Sequence, residues 1–159
     1  MIYYGFRKFS LCNLWVYSNN DFIFNIAFSK LELIDCKNIE TDLIQVAFLE
    51  LEEYFEGKRQ SFDFAINLEA SLFRKQVLEA IQTMPYGQTK SYKEIAQMIS
   101  NKKACRAIGM ACNKNPLPIV IPCHRIIGSD GNLTGYAGGL ELKKNLLNLE
   151  KKSSTQGTN

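Results

Sequence analysis

At 159 residues, with a net charge of +3, 46% hydrophobic and 22% charged residues, the chain has the make-up of one globular domain or two small ones, not of a disordered or fibrous protein. No apolar run approaches a membrane span, and residues 1–17 lack the apolar core and cleavage site of a signal peptide. Five cysteines (Cys12, Cys36, Cys105, Cys112 and Cys123), odd in number and irregularly spaced, argue against a disulfide framework and for a reducing, cytoplasmic setting. The charge is unevenly divided. Through Ala70 there are six Lys/Arg against eleven Asp/Glu; from Ser71 onward there are thirteen against five. A basic half of this kind suits a polyanionic partner, and a solvated basic face has the same composition.

Residues 1 to about 35 are rich in aromatic and β-branched side chains: Ile2-Tyr3-Tyr4, Leu14-Trp15-Val16-Tyr17 and Phe22-Ile23-Phe24-Asn25-Ile26-Ala27-Phe28. With Asn19-Asn20-Asp21 as a turn, they predict a small antiparallel sheet with at least one hairpin. Ile44, Ala47, Phe48, Leu51, Tyr54 and Phe55 recur at helical spacing, and Gly57 is placed to stop that helix. Phe62-Asp63-Phe64 reads as a short strand. The pattern gives an α/β scaffold domain over residues 1–70, a helical domain over 71–152, and a disordered polar tail over 153–159.

In the second half, Ser71 is positioned to cap a helix reaching Ile81, with Phe73, Val77, Leu78 and Ile81 on one face. Met84-Pro85-Tyr86-Gly87-Gln88 has turn chemistry. Ser91 and Glu94 have capping-box spacing and open a helix through Ile99. Asn101 is placed to cap a second helix over residues 102–112. Two short helices joined by a tight polar turn form a helix-turn-helix pattern. The second is slim at Ala104, Ala107, Gly109 and Ala111, and basic at Lys102, Lys103, Arg106 and Lys114. Small residues let helices pack closely; a slim basic helix can also enter a DNA groove. Leu142, Leu146 and Leu149 mark a last helix, with Glu150 near its end.

The chemistry concentrates in Ile121-Pro122-Cys123-His124-Arg125-Ile126-Ile127. Flanking apolar, β-branched residues predict an extended segment broken at Pro122, displaying a thiol beside the only histidine. A free cysteine is mostly thiol at neutral pH, so a reactive one needs a base or a cation. His124 is the one imidazole available, and Arg125 adds charge. Adjacent side chains on a strand point to opposite sides, so His124 is expected to reach Cys123 through a water. Glu150, beyond the glycine-rich Gly135-Tyr136-Ala137-Gly138-Gly139 loop, is the acid placed to orient the histidine. Cys105, Cys112, Cys123 and His124 can be counted as four zinc ligands, but without the paired spacing of a zinc site.

Pro122-Cys123-His124-Arg125, preceded by Asn115-Pro116 and followed by Gly135-Tyr136-Ala137-Gly138-Gly139-Leu140, resembles the O6-alkylguanine-DNA alkyltransferases. The likeness runs from about Phe73 to Glu150, through Met84-Pro85-Tyr86-Gly87, Ser91-Tyr92, Arg106-Ala107-Ile108-Gly109 and Lys143 with Leu146-Leu147. The resemblance implies a ribonuclease H-like α/β domain followed by a winged helix-turn-helix domain. It implies a monomer that binds double-stranded DNA through the minor groove, flips out O6-alkylguanine (O4-alkylthymine being a second candidate) and moves the alkyl group to Cys123 once per molecule, without metal or cofactor. On that likeness, His124 is the base acting through water and Glu150 its orienter. Tyr92 donates a proton toward the purine and helps rotate the nucleotide. Arg106 fills the vacated stack, and Asn115 ties the recognition helix to the active-site strand. Lys102, Lys103, Lys114 and Arg125 complete the DNA-binding set. Tyr136 walls the base pocket, and backbone at Cys123, Ile126 and Ala137 holds the guanine edge.

The chain departs from the family pattern in three places. Leu78 stands where tryptophan is usual, the N-terminal half has no histidine for the zinc site of some members, and Ser100-Asn101-Lys102 lacks the usual turn glycine. A non-catalytic damage sensor is the alternative reading; members of that group typically lack the cysteine. A winged-helix regulator needs no Cys–His pair, and a cysteine hydrolase gives no reason for the basic helix.

Overall fold

The computed structural model describes residues 1–156 and divides into two compact units, the first ending at Glu69 and the second beginning at Ala70. The first carries a four-stranded sheet of β1 (Ile2–Lys8), β2 (Asn13–Ser18), β3 (Ile23–Ala27) and β4 (Cys36–Asn38), in the order β3-β2-β1-β4. β1–β2 and β2–β3 are antiparallel hairpins, and the second turns on Asn19, whose Oδ1 accepts the N–H groups of Asp21 and Phe22 at 2.8 Å each. β4 runs parallel to β1, so the sheet is mixed and not the antiparallel one expected. Cys36-Lys37-Asn38 has no apolar alternation to announce a strand; it is extended because its backbone pairs with Ile2-Tyr3-Tyr4.

Helix α1 (Asp42–Phe55) covers one face of this sheet. Its N-cap Thr41 accepts the Ile44 N–H, and Gly57 follows its end at φ +75°, where a side chain would be strained. Ile44, Ala47, Phe48, Leu51 and Tyr54 are fully buried. Gly5 on β1 makes the close approach possible: a Cβ there would lie 2.8 Å from Glu40 Cγ, 2.9 Å from Phe48 Cε2 and 3.1 Å from Ile44 Cγ2. Phe62-Asp63-Phe64 is not a strand. The Asp63 N–H donates to Glu50 Oε1 at 2.7 Å, inside a network in which Arg59 also pairs with Glu50, Glu53 and Asp63, and strand-like pairing is confined to Ile66 opposite Ile23.

In the second unit, α2 (Leu72–Gln82) is capped by Ser71, and α3 (Tyr92–Met98) opens on a complete capping box of Ser91 and Glu94. α4 (Cys105–Asn113) packs on α3 to form the helix-turn-helix. It begins three residues later than expected. Asn101 is not its cap: the Asn101 N–H donates to the Ala96 carbonyl, and the Asn101 carbonyl accepts the Ala104 N–H, so the residue belongs to the turn. Lys102 and Lys103 therefore lie in the turn and not on the helix. Ser100 takes the left-handed conformation, φ +56°, that a glycine adopts more readily. β5 (Lys90–Ser91) pairs in parallel with β6 (Ile126–Ile127), tying the start of α3 to the Cys–His segment. α5 (Leu140–Gln156) extends well past Glu150, so the expected polar tail is helical through Gln156; its remainder, residues 157–159, lies outside the described residues. Among the described residues no helix is long and apolar enough to cross a membrane.

Gly5→Ala should push α1 off the sheet and cost about 1–3 kcal/mol, the range for overpacking a filled interior. Urea unfolding checks this; an unchanged midpoint would show that α1 can move aside freely.

Candidate active site

The segment expected to be extended is instead a single 3₁₀ turn, Cys123–Arg125, entered from Pro122 and leaving into β6. The Arg125 N–H closes it on the Pro122 carbonyl at 3.0 Å. The apolar neighbours are core residues, Ile121 and Ile126 fully buried and Ile119 nearly so, and strand pairing is limited to β6 and to a single bridge between Pro118 and Ile121. Asn115, two residues past α4, holds the approach to the turn. Its Nδ2 donates to the Ile121 carbonyl at 2.9 Å and to Cys123 Sγ at 3.2 Å, and its Oδ1 accepts the Leu117 N–H at 2.9 Å. Burial pushes the Cys123 thiol up, with the Asn115 hydrogen bond and the charge of Lys143 working against it. The sulfur rests as a protected thiol.

His124 is fully buried, and its Nε2 lies 2.6 Å from Glu150 Oε2. Arg125 grips the same carboxylate twice, Nε to Oε1 at 2.7 Å and Nη2 to Oε2 at 3.1 Å, and sends Nη1 to the Met84 carbonyl at 2.7 Å. The Gly87 N–H adds a further bond to Oε1 at 3.1 Å. Gly87 has φ +78°, and a Cβ there would collide with the Ser154 hydroxyl on α5, so the turn over residues 84–88 needs a glycine to reach Glu150. Burial by itself would raise the Glu150 carboxyl; hydrogen bonds and charge from His124 and Arg125 outweigh it and hold the group at about 2. An ionised carboxylate can only accept, so Nε2 carries the proton it shares. Burial, the largest influence, lowers His124 from its ordinary value, with Glu150 opposing. A neutral ring protonated at Nε2 has Nδ1 as its basic nitrogen.

This geometry removes Arg125 from the expected DNA-binding set. Its side chain is buried and committed to Glu150 and Met84, out of reach of a phosphate. Arg106 and Lys114 are exposed on and just beyond α4, and Lys102 and Lys103 are exposed in the turn before it. Tyr92 is the first residue of α3; its Oη accepts from Thr134 Oγ1 at 3.0 Å, and Gly109 lies close to its ring. Tyr136 presents its ring edge-on to His124, with centroids 6.4 Å apart. Ile126 is buried on β6, and Ala137 is exposed in the glycine-rich loop. Cys105, Cys112, Cys123 and His124 do not converge: among the described residues no three His, Cys, Asp or Glu side chains are placed to hold a metal ion.

Two residues escaped the reading of single functional positions. Lys143 is fully buried and donates to the Thr134 carbonyl at 2.7 Å, and Thr134 is the partner of Tyr92. The signal was a lysine three residues before Leu146 and seven before Glu150, on the inward stripe of α5.

A thiol beside an imidazole held by a carboxylate, on a helix-turn-helix unit that follows a small mixed-sheet unit, matches two family models. They are described as 6-O-methylguanine DNA methyltransferase, ribonuclease-like domain, over residues 2–69, and 6-O-methylguanine DNA methyltransferase, DNA binding domain, over residues 72–152. The chain belongs to the 6-O-methylguanine DNA methyltransferase family. It is 46% identical over 121 residues to the methylated-DNA–protein-cysteine methyltransferase of Methanosarcina acetivorans, covering 76% of this chain and 78% of that one. It is 54% identical over 102 residues to the protein of the same name from Methanosarcina barkeri, covering 64% of this chain and 65% of that relative, so this match spans slightly less than two thirds of the relative's length. Mycobacterium tuberculosis OGT, solved in complex with DNA, superposes with a TM-score of 0.88 at 34% identity, covering 95% of this chain and 94% of that one.

The buried pair sets a pH dependence. An unfolded chain takes up a proton at His124 near pH 6.5, whereas the folded one, with His124 lowered, does not, so stability should fall as pH drops from 7 toward 5. Glu150, lowered from 4.5 to about 2, adds a further loss as pH falls below 4.5. Urea unfolding across this range checks the sign. Stability rising toward pH 5 would mean that the buried ring is protonated.

Proposed function

We propose that this chain repairs DNA by direct reversal, taking the alkyl group from O6 of guanine in duplex DNA onto Cys123 Sγ. The observation that carries this reading is the buried His124–Glu150 pair, with the carboxylate ionised, adjoining a cysteine whose thiol is kept protonated until a base withdraws the proton. His124 Nδ1 takes the thiol proton through a water, the sulfur attacks the alkyl carbon, and the carbon–O6 bond breaks. Tyr92 supplies a proton toward the purine, which leaves as guanine, and the proton that His124 took from the thiol restores the phenol by way of solvent. An S–C bond replaces an O–C bond, with no change in oxidation state. A soft thiolate suits displacement at carbon, and the step calls for no metal or cofactor. A thioether is a poor leaving group, so each molecule acts once.

A base in a duplex must leave the stack to reach a buried sulfur, at a cost of a few kcal/mol. Exposed Arg106 beside Ala107 on α4 suits insertion into the vacated space through the minor groove, with Lys102, Lys103 and Lys114 on phosphates. Tyr136, Ile126 and Ala137 border the receiving pocket. The chain works as a monomer, inside the cell where DNA and reduced thiols coexist.

Mixing the protein with duplex DNA carrying O6-methylguanine and mapping peptides by mass spectrometry tests this. One methyl on Cys123 per molecule, without turnover, is expected, and Cys123→Ala should keep DNA binding while gaining no methyl. Tight binding to the lesion with Cys123 unmodified would overturn the reading in favour of a sensor.

A further inference from the structure

Thr134 lies in the exposed loop between β6 and α5, yet it is fixed on three sides. Lys143 Nζ, from a fully buried side chain on α5, donates to its carbonyl at 2.7 Å. Its methyl group faces Gly128, where a Cβ would sit 3.7 Å from Thr134 Cγ2. Its hydroxyl donates to Tyr92 Oη at 3.0 Å. The turn that carries it is also stapled: Gly128 N–H bonds the Asn132 carbonyl at 2.9 Å, and Asp130 accepts from both the backbone and the side chain of Asn132. Methyl and hydroxyl sit on the same Cβ in staggered positions, so placing the methyl against Gly128 also aims the hydroxyl.

An exposed neutral hydrogen bond adds little to folding, because water would serve the hydroxyl nearly as well. Burying a lysine to hold the backbone of such a residue points to a role other than stability. A phenol oxygen that accepts one hydrogen bond keeps its own hydrogen available for a second partner. We propose that Thr134 is a positioning residue for the transfer reaction: its hydroxyl, set by Lys143 and Gly128, occupies the accepting side of Tyr92 Oη and turns the phenol hydrogen toward the incoming purine. This rests on the reading of Tyr92 as the proton donor to the flipped base. It gives the loop before α5 a share in transfer, through one hydroxyl on one oxygen.

Single-turnover transfer at saturating O6-methylguanine duplex, with affinity for unmodified duplex measured in parallel, tests the proposal. Thr134→Val keeps the shape and removes the hydroxyl; transfer should slow about three- to tenfold, the range of one neutral hydrogen bond, with affinity for unmodified duplex unchanged. Thr134→Ser should recover most of the lost rate. In a Tyr92→Phe background, Thr134→Val should have no further effect, because the oxygen it acts on is gone. Wild-type rates in Thr134→Val, no recovery in Thr134→Ser, or losses that add in the double variant would each overturn the proposal while leaving the transfer reaction standing. Absence of transfer by the wild-type chain would overturn both.

Discussion

The second unit of this protein is organised around one buried carboxylate. Glu150 is 1% exposed and receives His124, two nitrogens of Arg125 and the backbone of Gly87. These contacts join α5 to the turn after α2 and to the 3₁₀ turn that bears Cys123. A buried ionised carboxylate is tolerated only when its lone pairs are filled, and removing one partner of such a pair leaves an uncompensated charge worth about 3–5 kcal/mol. The same constraint that makes Glu150 tolerable fixes the tautomer of His124, and so leaves Nδ1 as the basic nitrogen of the ring. Structure and chemistry here share one interaction.

Burial also explains the timing that the chemistry requires. A thiol raised by desolvation does not react with whatever diffuses past, which matters for a group that can be used once. In the proposed transfer, activation depends on a base already in place and on a substrate that displaces solvent as it enters. Asn115 contributes from the other side, holding the sulfur and the chain that leads to it from the end of α4. The end of the helix-turn-helix is thus joined to the reactive sulfur by the Asn115 carboxamide, as its start is tied to the same segment by the β5–β6 pairing.

Local signals in the sequence translated directly into structure where one segment contained both partners. Ser71 capping α2, the Ser91–Glu94 box and the apolar stripe of α1 all stand as read. The errors arose where a distant group decides the local outcome. β4 is a strand only through its pairing with β1, and Asp63 answers to Glu50. Asn101 looked like a cap but serves a turn that starts from left-handed Ser100. Arg125 read as a phosphate contact because its position beside a reactive pair in a basic half does not disclose the carboxylate 25 residues away that claims it. Cys123, His124 and Glu150 were legible as residues; the 3₁₀ turn that presents the first two was not. Thr134 carried no signal, since its importance lies in a bond across 42 residues to Tyr92.

The account stands or falls on the state of one imidazole, and the chain contains only one. Nitrogen NMR of ¹⁵N-labelled protein therefore reads His124 without ambiguity. A neutral ring protonated at Nε2, persisting from pH 8 to below 6.5, is the predicted result. A ring protonated at Nδ1, or an imidazolium at pH 7, would contradict it, because neither leaves a basic nitrogen for the thiol while Glu150 holds Nε2.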